Sequence, residues 1–406
     1  MSGGDAATDA FDLVLFGATS FVGRLVAARL VERHGTGGPL RWAIAGRDAG
    51  RLERIARESG AAVPRLVVDA HDPVSLGAMC ARTRLVISTV GPYALHGSAL
   101  VAAVVEAGID SVDLTGEPQW MRRTIDAHHD RAVGTGARVV HACGFDSVPS
   151  DLGVRFLQDR AVERFGEPCT RVRMGVKAAK GGFSGGTIAS LMNVLAEASG
   201  DAAERAVLAD PYALAPPGDR AGVPQPKPGR VAHDPGLGGW TAPFVMAPTN
   251  TRVVFRTHAL LGHPWGPDFT YGEAVMTGEG ARGRAKAFAV AGAFGGFTGV
   301  ASLGPVRRAL ARVLPKSGEG PDEAAREAGF YDLRFHGTTA SGESIATRVT
   351  GDRDPGYGST SKILVEAATA LLDSDAGGGV LTPATALGAP FLDALEAHAG
   401  LAFEVL

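Results

Sequence analysis

Residues 11–23 read FDLVLFGATSFVG, and this stretch decides the fold. Residues 11–16 form a short apolar run of the kind found in a buried parallel strand. Gly17 ends the run, and residues 21–34 then carry apolar side chains at helical spacing. A strand, a tight glycine turn and a helix direct backbone N–H groups and the positive end of a helix dipole at one point, which suits a pyrophosphate. The stretch therefore predicts the first unit of a dinucleotide-binding fold.

The glycine pattern of this turn is incomplete. A G-x-x-G-x-x-G turn would have a third glycine where this chain has Ser20. A serine is small enough for a phosphate to approach, and its hydroxyl can donate a hydrogen bond. An ordinary strand–helix connection is the alternative interpretation. The predicted cofactor contacts in the turn are Gly17, Thr19, Ser20, Phe21, Val22 and Gly23.

The composition is that of a globular protein with more than one domain. The chain has 406 residues, a net charge of −3 and 45% hydrophobic residues. That length suits two domains, and the charge predicts no nucleic-acid-binding surface. The cysteines, Cys80, Cys143 and Cys169, form no C-x-x-C pair, so we expect a reduced, cytoplasmic protein without a zinc site. Residues 1–10 lack the pattern of a signal peptide.

Further strand–helix pairs follow the first. Six alternations by residue 150 predict an α/β fold with a doubly wound parallel sheet of Rossmann type. The second strand, residues 40–45, ends just before Arg47 and Asp48, where such a fold meets the adenosine ribose. Arg47 favours NADP, because it would pair with a 2′-phosphate, whereas Asp48 would serve as a ribose-binding acid or a helix N-cap. The third strand ends at Asp69, a position that approaches the adenine.

The fourth strand, residues 85–89, runs into the segment GPYALH. Its Gly91 and Pro92 stop the strand abruptly and are predicted cofactor contacts. Tyr93 and His96 are then expected over the nicotinamide, and both are side chains that can donate a proton. The alternative is that Tyr93 packs against the ring and His96 caps a helix.

The sixth strand ends in a polar loop, residues 142–151, at the edge of the sheet where ligands bind. Ser150 or Asp151 is expected to cap the next helix, whereas Asp146 has no such local role. Asp146 is therefore the third candidate catalytic residue, and it is also placed to orient Tyr93 or His96. The alternative is a turn carboxylate bonded to its own backbone.

From Cys169 onward, the pattern changes to an alternation of period two, typical of strands with one exposed face. This favours a second α+β domain built on a mostly antiparallel sheet, which offers a surface for a homodimer. The predicted strands are residues 170–176, 252–259, 269–276 and a hairpin around residues 341–342. The predicted domains are residues 1–150 (Rossmann), 151–354 (substrate and dimerisation) and 355–406 (helices that return to the first domain).

Residues 180–187, KGGFSGGT, combine a lysine with a glycine-rich loop before a predicted helix. This resembles an anion-binding loop but lacks the spacing of a Walker motif. The alternative is that the glycines let the helix pack closely.

Residues 285–303 are nearly uncharged and are flanked by arginines. The four glycines of this segment argue against a membrane span. Our first interpretation is a buried core helix. The second is a segment that faces lipid, in peripheral contact with a membrane, or lines an acyl chain.

Residues 144–151, GFDSVPSD, and residues 314–321, LPKSGEGP, resemble the saccharopine dehydrogenase-like oxidoreductases, in particular their actinobacterial trans-acting enoyl reductase branch. The likeness covers nearly the whole chain. Its other shared stretches are residues 17–23, 91–93, 356–362 and 378–383.

The resemblance implies a Rossmann domain that uses NADPH. It also implies reduction of a carbon–carbon double bond on a polyketide-derived acyl chain that a separate synthase or an acyl carrier holds. The wider family includes saccharopine reductases, which reduce an imine, and their Pro-Tyr-x-x-His feature matches Pro92, Tyr93 and His96. The resemblance does not identify a catalytic residue.

Two further hypotheses stand beside the enoyl reductase. An imine-reducing dehydrogenase would need arginines for the carboxylates of its substrate, and Arg252 and Arg256 are available. The apolar residues 285–303 fit a fatty substrate better. A non-catalytic, lipid-associated nucleotide-binding protein is the third hypothesis.

Overall fold

The computed structural model contains two seven-stranded β-sheets with helices packed against them. It describes residues 10–181, 190, 192–194, 196–197, 201–220, 223–226, 230–301 and 319–406. The strands are β1 (Phe11–Phe16), β2 (Trp42–Gly46), β3 (Arg65–Val67), β4 (Thr83–Ser88), β5 (Asp110–Asp113), β6 (Arg138–Val140), β7 (Cys169–Lys180), β8 (Ala232–Asp234), β9 (Gly239–Ala242), β10 (Thr270–Gly278), β11 (Phe330–Thr339), β12 (Ser344–Gly351), β13 (Gly379–Leu381) and β14 (Leu401–Val405). The helices are α1 (Phe21–His34), α2 (Ala49–Ser59), α3 (Pro73–Cys80), α4 (Tyr93–His96), α5 (Ser98–Ala107), α6 (Pro118–Thr135), α7 (Val148–Phe165), α8 (Ala202–Ala209), α9 (Ala247–Leu260), α10 (Gly280–Ala301), α11 (Glu323–Glu327), α12 (Thr360–Leu372), α13 (Pro383–Ala386) and α14 (Gly388–Ala394).

The first sheet is parallel, in the order β13-β6-β5-β4-β1-β2-β3, which confirms the predicted Rossmann-type sheet. Strand β1 lies inside it, and all of its residues are buried except the half-buried Asp12. The strand order reverses at β1 and β4, so a crevice opens at the carboxyl ends of these two strands. The amide of Thr89 donates to the carbonyl of Phe16 at 2.9 Å and joins the two strand ends.

The second sheet has the order β14-β12-β11-β7-β10-β9-β8. Its pairs are antiparallel apart from β7 and β10, which run parallel. The predicted hairpin is present as β11 and β12, and Gly342 in its turn has a φ of +97°. The mostly antiparallel second sheet is therefore confirmed.

The strand predicted at residues 252–259 is wrong, because these residues belong to helix α9. The stretch includes Val253, Val254 and Phe255, which favour a strand by local propensity. Every residue from 249 to 258 is buried. The helix therefore lacks the polar face that would have revealed its 3.6-residue period.

The interpretation of residues 285–303 as a buried core helix is also wrong. Residues 302–303 lie outside the described part of the chain, and the others belong to α10, most of whose residues are exposed. The side chains of Phe288 and Phe297 are 55% and 42% exposed. Across the described ranges, no helix has both the length and the apolar content needed to cross a membrane.

The closing segment, residues 355–406, contacts both sheets. Helix α12 packs on α1, where the buried carboxylate of Glu366 accepts from Arg33 Nε at 3.1 Å. Strand β13 extends the first sheet beside β6. Strand β14 pairs with β12 of the second sheet. This segment therefore ties the two sheets together.

Two stretches that stand out in the sequence fall partly outside the described residues. Lys180 is the last residue of β7, but the glycine-rich loop at residues 182–187 is not described. The family-like stretch at residues 314–321 is described only from Glu319 onward.

Candidate nucleotide and active site

The turn after β1 is tightly packed against its surroundings. A Cβ atom on Gly23 would lie 2.2 Å from the carbonyl oxygen of Gly17, and one on Gly17 would lie 2.7 Å from Thr89 Oγ1. Gly17 also has a φ of +91°, which strains other residues. Both glycines are therefore needed for α1 to begin this close to the ends of β1 and β4.

Ser20 caps helix α1. Its Oγ accepts from the amide of Gly23 at 2.9 Å and donates to Thr89 Oγ1 at 3.1 Å, so the serine in place of the third glycine orders the turn. Within the described ranges, the amides of Thr19, Phe21 and Val22 donate to no acceptor. Three such amides at a helix N-terminus attract an anion, so the turn fits the pyrophosphate of a dinucleotide.

At the end of β2, the structure assigns different tasks to Arg47 and Asp48. Asp48 is the N-cap of α2, where its Oδ1 accepts from the amide of Arg51 at 2.9 Å. This hydrogen bond lowers the pKa of Asp48 below its usual value. Arg47 is exposed, and it forms no ion pair within the described part of the chain. At the end of β2, the charge without an ion pair in the described part of the chain is therefore the guanidinium of Arg47.

His96 belongs to the same end of the crevice. Its Nδ1 lies 2.9 Å from His71 Nε2, in the loop after β3. Burial lowers the pKa of His96, and the charges of His71 and Arg47 lower it further, against the opposing effect of Asp69. His96 thus lies near Arg47 and Asp69, the residues predicted to meet the adenosine, whereas it was predicted to lie over the nicotinamide with Tyr93.

The side chain of Tyr93 is buried under the carboxyl ends of β4 and β5. Its hydroxyl donates to the carbonyl of Ser88 at 2.9 Å and accepts from the amide of Leu114 at 3.2 Å. Burial raises the pKa of Tyr93 well above its usual value. The hydroxyl therefore joins two strand ends and has no free proton to offer a substrate.

Glu117 is a buried carboxylate that no sequence motif singles out. Its oxygens accept from the amides of Tyr93 and Ala94 at 2.9 and 3.0 Å and from Ser190 Oγ at 2.9 Å. Burial raises the pKa of Glu117. This carboxylate holds the N-terminus of α4, next to the cis Gly91–Pro92 peptide. A charged residue just after a strand end was the available sequence signal.

Tyr93→Phe is expected to lower the free energy of unfolding by about 1–3 kcal/mol, because two buried backbone groups lose their partner. Turnover should stay within about threefold of the wild type, a change below roughly 1 kcal/mol. Urea unfolding and steady-state NADPH oxidation measure the two quantities. A hundredfold loss of turnover at unchanged stability would instead restore Tyr93 as a proton donor.

Asp146 lies in the loop after β6, beside positions that carry no side chain. Its Oδ2 is 2.8 Å from where a Cβ on Gly144 would lie, and its Oδ1 is 3.9 Å from the corresponding point on Gly116. Burial raises the pKa of Asp146 to about 7, and the nearby charge of Asp113 acts in the same direction. Its side chain is half-buried, and its own backbone amide hydrogen-bonds to the carboxylate, which lowers the pKa of Asp146 against the larger effect of burial. Asp146 is thus a carboxyl group that is partly protonated near neutral pH.

Asp113 and His141 form a buried pair at the ends of β5 and β6. The distance from His141 Nδ1 to Asp113 Oδ2 is 2.6 Å, and Asp113 Oδ1 accepts from the amides of Thr115 and Ala142. Nε2 of His141 is buried and has no partner among the described residues. This imidazole is shielded from the crevice, unlike Asp146.

Ser150 and Asp151 do not cap α7 as expected, because the helix already begins at Val148. The carboxylate of Asp151 is buried and accepts from Thr257 Oγ1 at 2.6 Å and from the amide of Ala384 at 2.9 Å. It therefore joins α7 to α9 and to the closing segment.

A second polar cluster connects the loop after β6 with the second sheet. Asn250 accepts from Ser147 Oγ at 2.9 Å and donates to Ser150 Oγ and Glu273 Oε2 at 3.1 and 3.0 Å. Burial raises the pKa of Glu273 to about 7, and the hydroxyl of Tyr271 donates to it at 2.7 Å. The position of the loop thus depends on contacts that are distant in sequence.

Next to this cluster is a cavity of about 350 Å³, between α9 and strands β9 and β10. Its lining includes the polar residues Glu273 and Tyr271, the apolar residues Ala242, Ala247 and Phe255, and the arginines Arg173, Arg230 and Arg252. The volume is within the range of small-molecule sites.

The two arginines considered for a substrate with several carboxylates have other partners. Arg252 donates to the carbonyls of Val207, Pro248 and Leu208, and Arg256 donates to those of Leu214 and Val380. Both side chains are buried, which lowers the pKa of Arg252 to about 10 and that of Arg256 to about 9. Arg252 thus binds the last turn of α8 and its own helix α9, and Arg256 binds the segment at Leu214 and strand β13. Arg252 lines the cavity but Arg256 does not, so the two do not converge on it.

The cysteines and the other metal-binding residue types form no site in the described part of the chain. Cys80, Cys143 and Cys169 are buried and free. No group of three or more His, Cys, Asp or Glu residues there is arranged to hold a metal ion.

No protein-family model matches the chain. A Mycobacterium tuberculosis protein that carries the provisional name trans-acting enoyl reductase is 45% identical over 406 residues, covering 95% of this chain and 96% of the relative. A Mycobacterium bovis protein named trans-acting enoyl reductase is 39% identical over 397 residues, covering 93% and 94%. Among solved structures, a saccharopine dehydrogenase (L-Glu forming) from Saccharomyces cerevisiae is similar in fold, with a TM-score of 0.54 at 14% identity, over 98% of this chain and 100% of the other. The family resemblance predicted from the sequence is thereby confirmed.

Proposed function

This chain belongs to the trans-acting enoyl reductase family, and we propose that it reduces a carbon–carbon double bond of an acyl thioester with NADPH. The observation that carries the proposal is the placement of Asp146, a protonatable carboxyl group at the edge of a sheet whose first turn fits a dinucleotide. Such a reduction needs both a bound nicotinamide and a proton donor.

The bound nicotinamide supplies a hydride for the β-carbon of the unsaturated thioester. The amides of Thr19, Phe21 and Val22 bind the pyrophosphate and set the position of the cofactor. The carboxyl group of Asp146 donates a proton to the α-carbon, which becomes basic as charge develops on the thioester. Because Asp146 must be protonated to do this, a pKa of about 7 keeps much of it active at neutral pH.

The cofactor is NADPH rather than NADH in this proposal. The exposed guanidinium of Arg47 is the charge available to a 2′-phosphate, whereas the carboxylate of Asp48 is bonded to α2. A carboxylate free at this position would favour the 2′-hydroxyl of NADH instead.

Arg47→Ala should weaken NADPH binding by about ten- to a hundredfold and leave NADH binding within about threefold, because a charge-assisted contact contributes about 1.5–3 kcal/mol. Fluorescence titration with both cofactors measures this, and a comparison of 2′,5′-ADP with 5′-AMP isolates the 2′-phosphate. Arg57→Ala, at an exposed position on helix α2, which follows Arg47, is the matched control. Equal losses for the two cofactors would contradict the assignment of Arg47.

We propose that the substrate is an acyl chain of polyketide or fatty-acid type, held by a separate synthase or an acyl carrier. The names of the relatives support a reductase that acts on another protein's product. The cavity beside Phe255 and Ala247 offers an apolar surface to part of such a chain. An imine-reducing dehydrogenase is less well supported, because Arg252 and Arg256 are bound to backbone carbonyls.

The proposal is tested by NADPH oxidation with a panel of enoyl thioesters, and with pairs of amino acids and keto acids. We expect turnover with the thioesters alone. Turnover only with the amino-acid pairs would establish the imine reductase, and failure to bind either nicotinamide cofactor would favour the non-catalytic protein.

A further inference from the structure

Helix α10 projects from the second sheet and exposes an apolar surface. Its first part is anchored: Gly283 and Ala287 are buried, Thr277 Oγ1 donates to the carbonyl of Gly283 at 2.9 Å, and the guanidinium of Arg284 lies over the ring of Trp240. Beyond this anchor, the residues are Ala, Val, Gly, Phe and Thr, with no charged side chain.

The exposure extends around the helix and is not confined to one face. Phe288 and Phe297 are nine positions apart and lie on opposite sides of a helix with 3.6 residues per turn. Both are exposed, as is Val290 at 36%. A helix that is apolar all round is ordinarily buried in a core or a membrane, so its exposure requires a partner.

The charge of the sequence in this part of the chain indicates what the partner is. Between Glu279 and Glu319, the sequence contains seven Lys or Arg residues and no Asp or Glu, in a chain whose net charge is −3. Three of these basic residues, Arg282, Arg284 and Lys286, lie on α10 at its anchored end, and all three are exposed. An apolar segment with basic residues at its base is complementary to a surface of anionic lipid.

A second copy of this chain is a poorer partner for the same surface. A symmetric contact would bring Arg282 and Lys286 of one copy towards the same residues of the other, and no acidic residue of the helix would compensate. An anionic lipid surface supplies the missing charge.

We propose that the projecting half of α10, from Phe288 to Gly299, inserts into the surface of an anionic membrane, with Arg282 and Lys286 against the headgroups. At about 1.5 Å per residue, these residues reach roughly 18 Å, which is enough for one leaflet and too short for the roughly 30 Å hydrocarbon core. The protein would then work beside the bilayer in which long acyl chains reside.

The experiment is co-sedimentation with two kinds of vesicle, phosphatidylcholine alone and an equimolar mixture with phosphatidylglycerol. We expect the wild-type protein to sediment with the anionic vesicles at low salt and to be released in part by high salt. Failure to sediment with anionic vesicles at low salt would overturn the proposal. Vesicle binding needs neither cofactor nor turnover, so its failure would leave the proposed reductase activity untouched.

Two variants identify the contact. Phe288→Ser/Phe297→Ser should weaken vesicle binding by more than about tenfold, because it removes two aromatic side chains from the inserted segment. Arg282→Glu/Lys286→Glu should do the same and should abolish the salt dependence. The matched controls are Phe330→Ser, at a phenylalanine that is 45% exposed in β11, and Arg57→Glu, at an exposed arginine on α2.

Equal losses in the control variants would also overturn the proposal, because the contact would then not be specific to α10. Sedimentation equilibrium without lipid tests the competing occupant. If the protein is a dimer that Phe288→Ser/Phe297→Ser dissociates, the partner of α10 is a second copy of the chain and not a membrane.

Discussion

Asp146→Asn should lower turnover by about 10²–10⁴-fold, the usual contribution of general acid catalysis, while NADPH affinity stays within about threefold. An asparagine preserves the size of the side chain but has no acidic proton. The cofactor should still bind, because the turn at Gly17 and the residue Arg47 hold it elsewhere in the crevice. Single-turnover NADPH oxidation with crotonyl-N-acetylcysteamine at saturating cofactor separates the two quantities.

The same residue predicts a pH dependence. Burial raises the pKa of Asp146 to about 7, and the acid donates its proton only when protonated. The wild-type rate should therefore be highest at low pH and fall tenfold per pH unit once the pH is well above about 7. The residual rate of Asp146→Asn should not show this fall in rate with rising pH.

Asp268→Asn is the matched control, because Asp268 is exposed in the loop before β10. A loss in Asp146→Asn of less than about threefold would mean that another group donates the proton. A water molecule bound in the crevice would then be the next candidate, because the imidazole of His141 is buried away from the crevice.

Gly23→Ala should weaken NADPH binding by a factor of a hundred or more, about 3 kcal/mol. The added Cβ would lie 2.2 Å from the carbonyl oxygen of Gly17 and 2.9 Å from the Cα of Ala18. Both neighbours are backbone atoms and cannot rotate away as a side chain would, so α1 must shift from the strand end. The amides that we propose for the pyrophosphate would move with the helix.

Isothermal titration with NADPH measures this loss, and circular dichroism checks that the variant is folded. Gly77→Ala in α3 is the matched control, because a Cβ there meets no atom within 4 Å. A folded Gly23→Ala protein that binds NADPH normally would place the pyrophosphate elsewhere.

The first unit of the fold could be predicted from the sequence alone. Strand β1 and helix α1 have the predicted bounds, 11–16 and 21–34, because both depend on local features: a continuous apolar run, a glycine and a helical period. The sequence also offers Asp48 as the N-cap of α2, because a cap is a contact between residues three apart in sequence.

The tertiary structure decided what surrounds each side chain. Tyr93 and His96 are only three residues apart in sequence, but their surroundings differ. The hydroxyl of Tyr93 bonds to the ends of two strands, whereas the ring of His96 contacts His71 near Arg47. The pKa of Asp146 is raised by burial against residues that are distant in sequence, and by the nearby charge of Asp113. These environments consist of contacts between distant residues, which no local pattern records.

The same reason explains the two misassigned segments. Residues 252–259 form a helix despite their strand-like composition, because burial on every side leaves no polar face for the periodicity to reveal. Residues 285–303 have the composition of a core helix, but the fold places α10 at the outer part of the second sheet, beside β9 and β10. The composition of α10 determines that this helix needs an apolar partner. The tertiary structure determines that the described part of the protein covers only the anchored end of the helix.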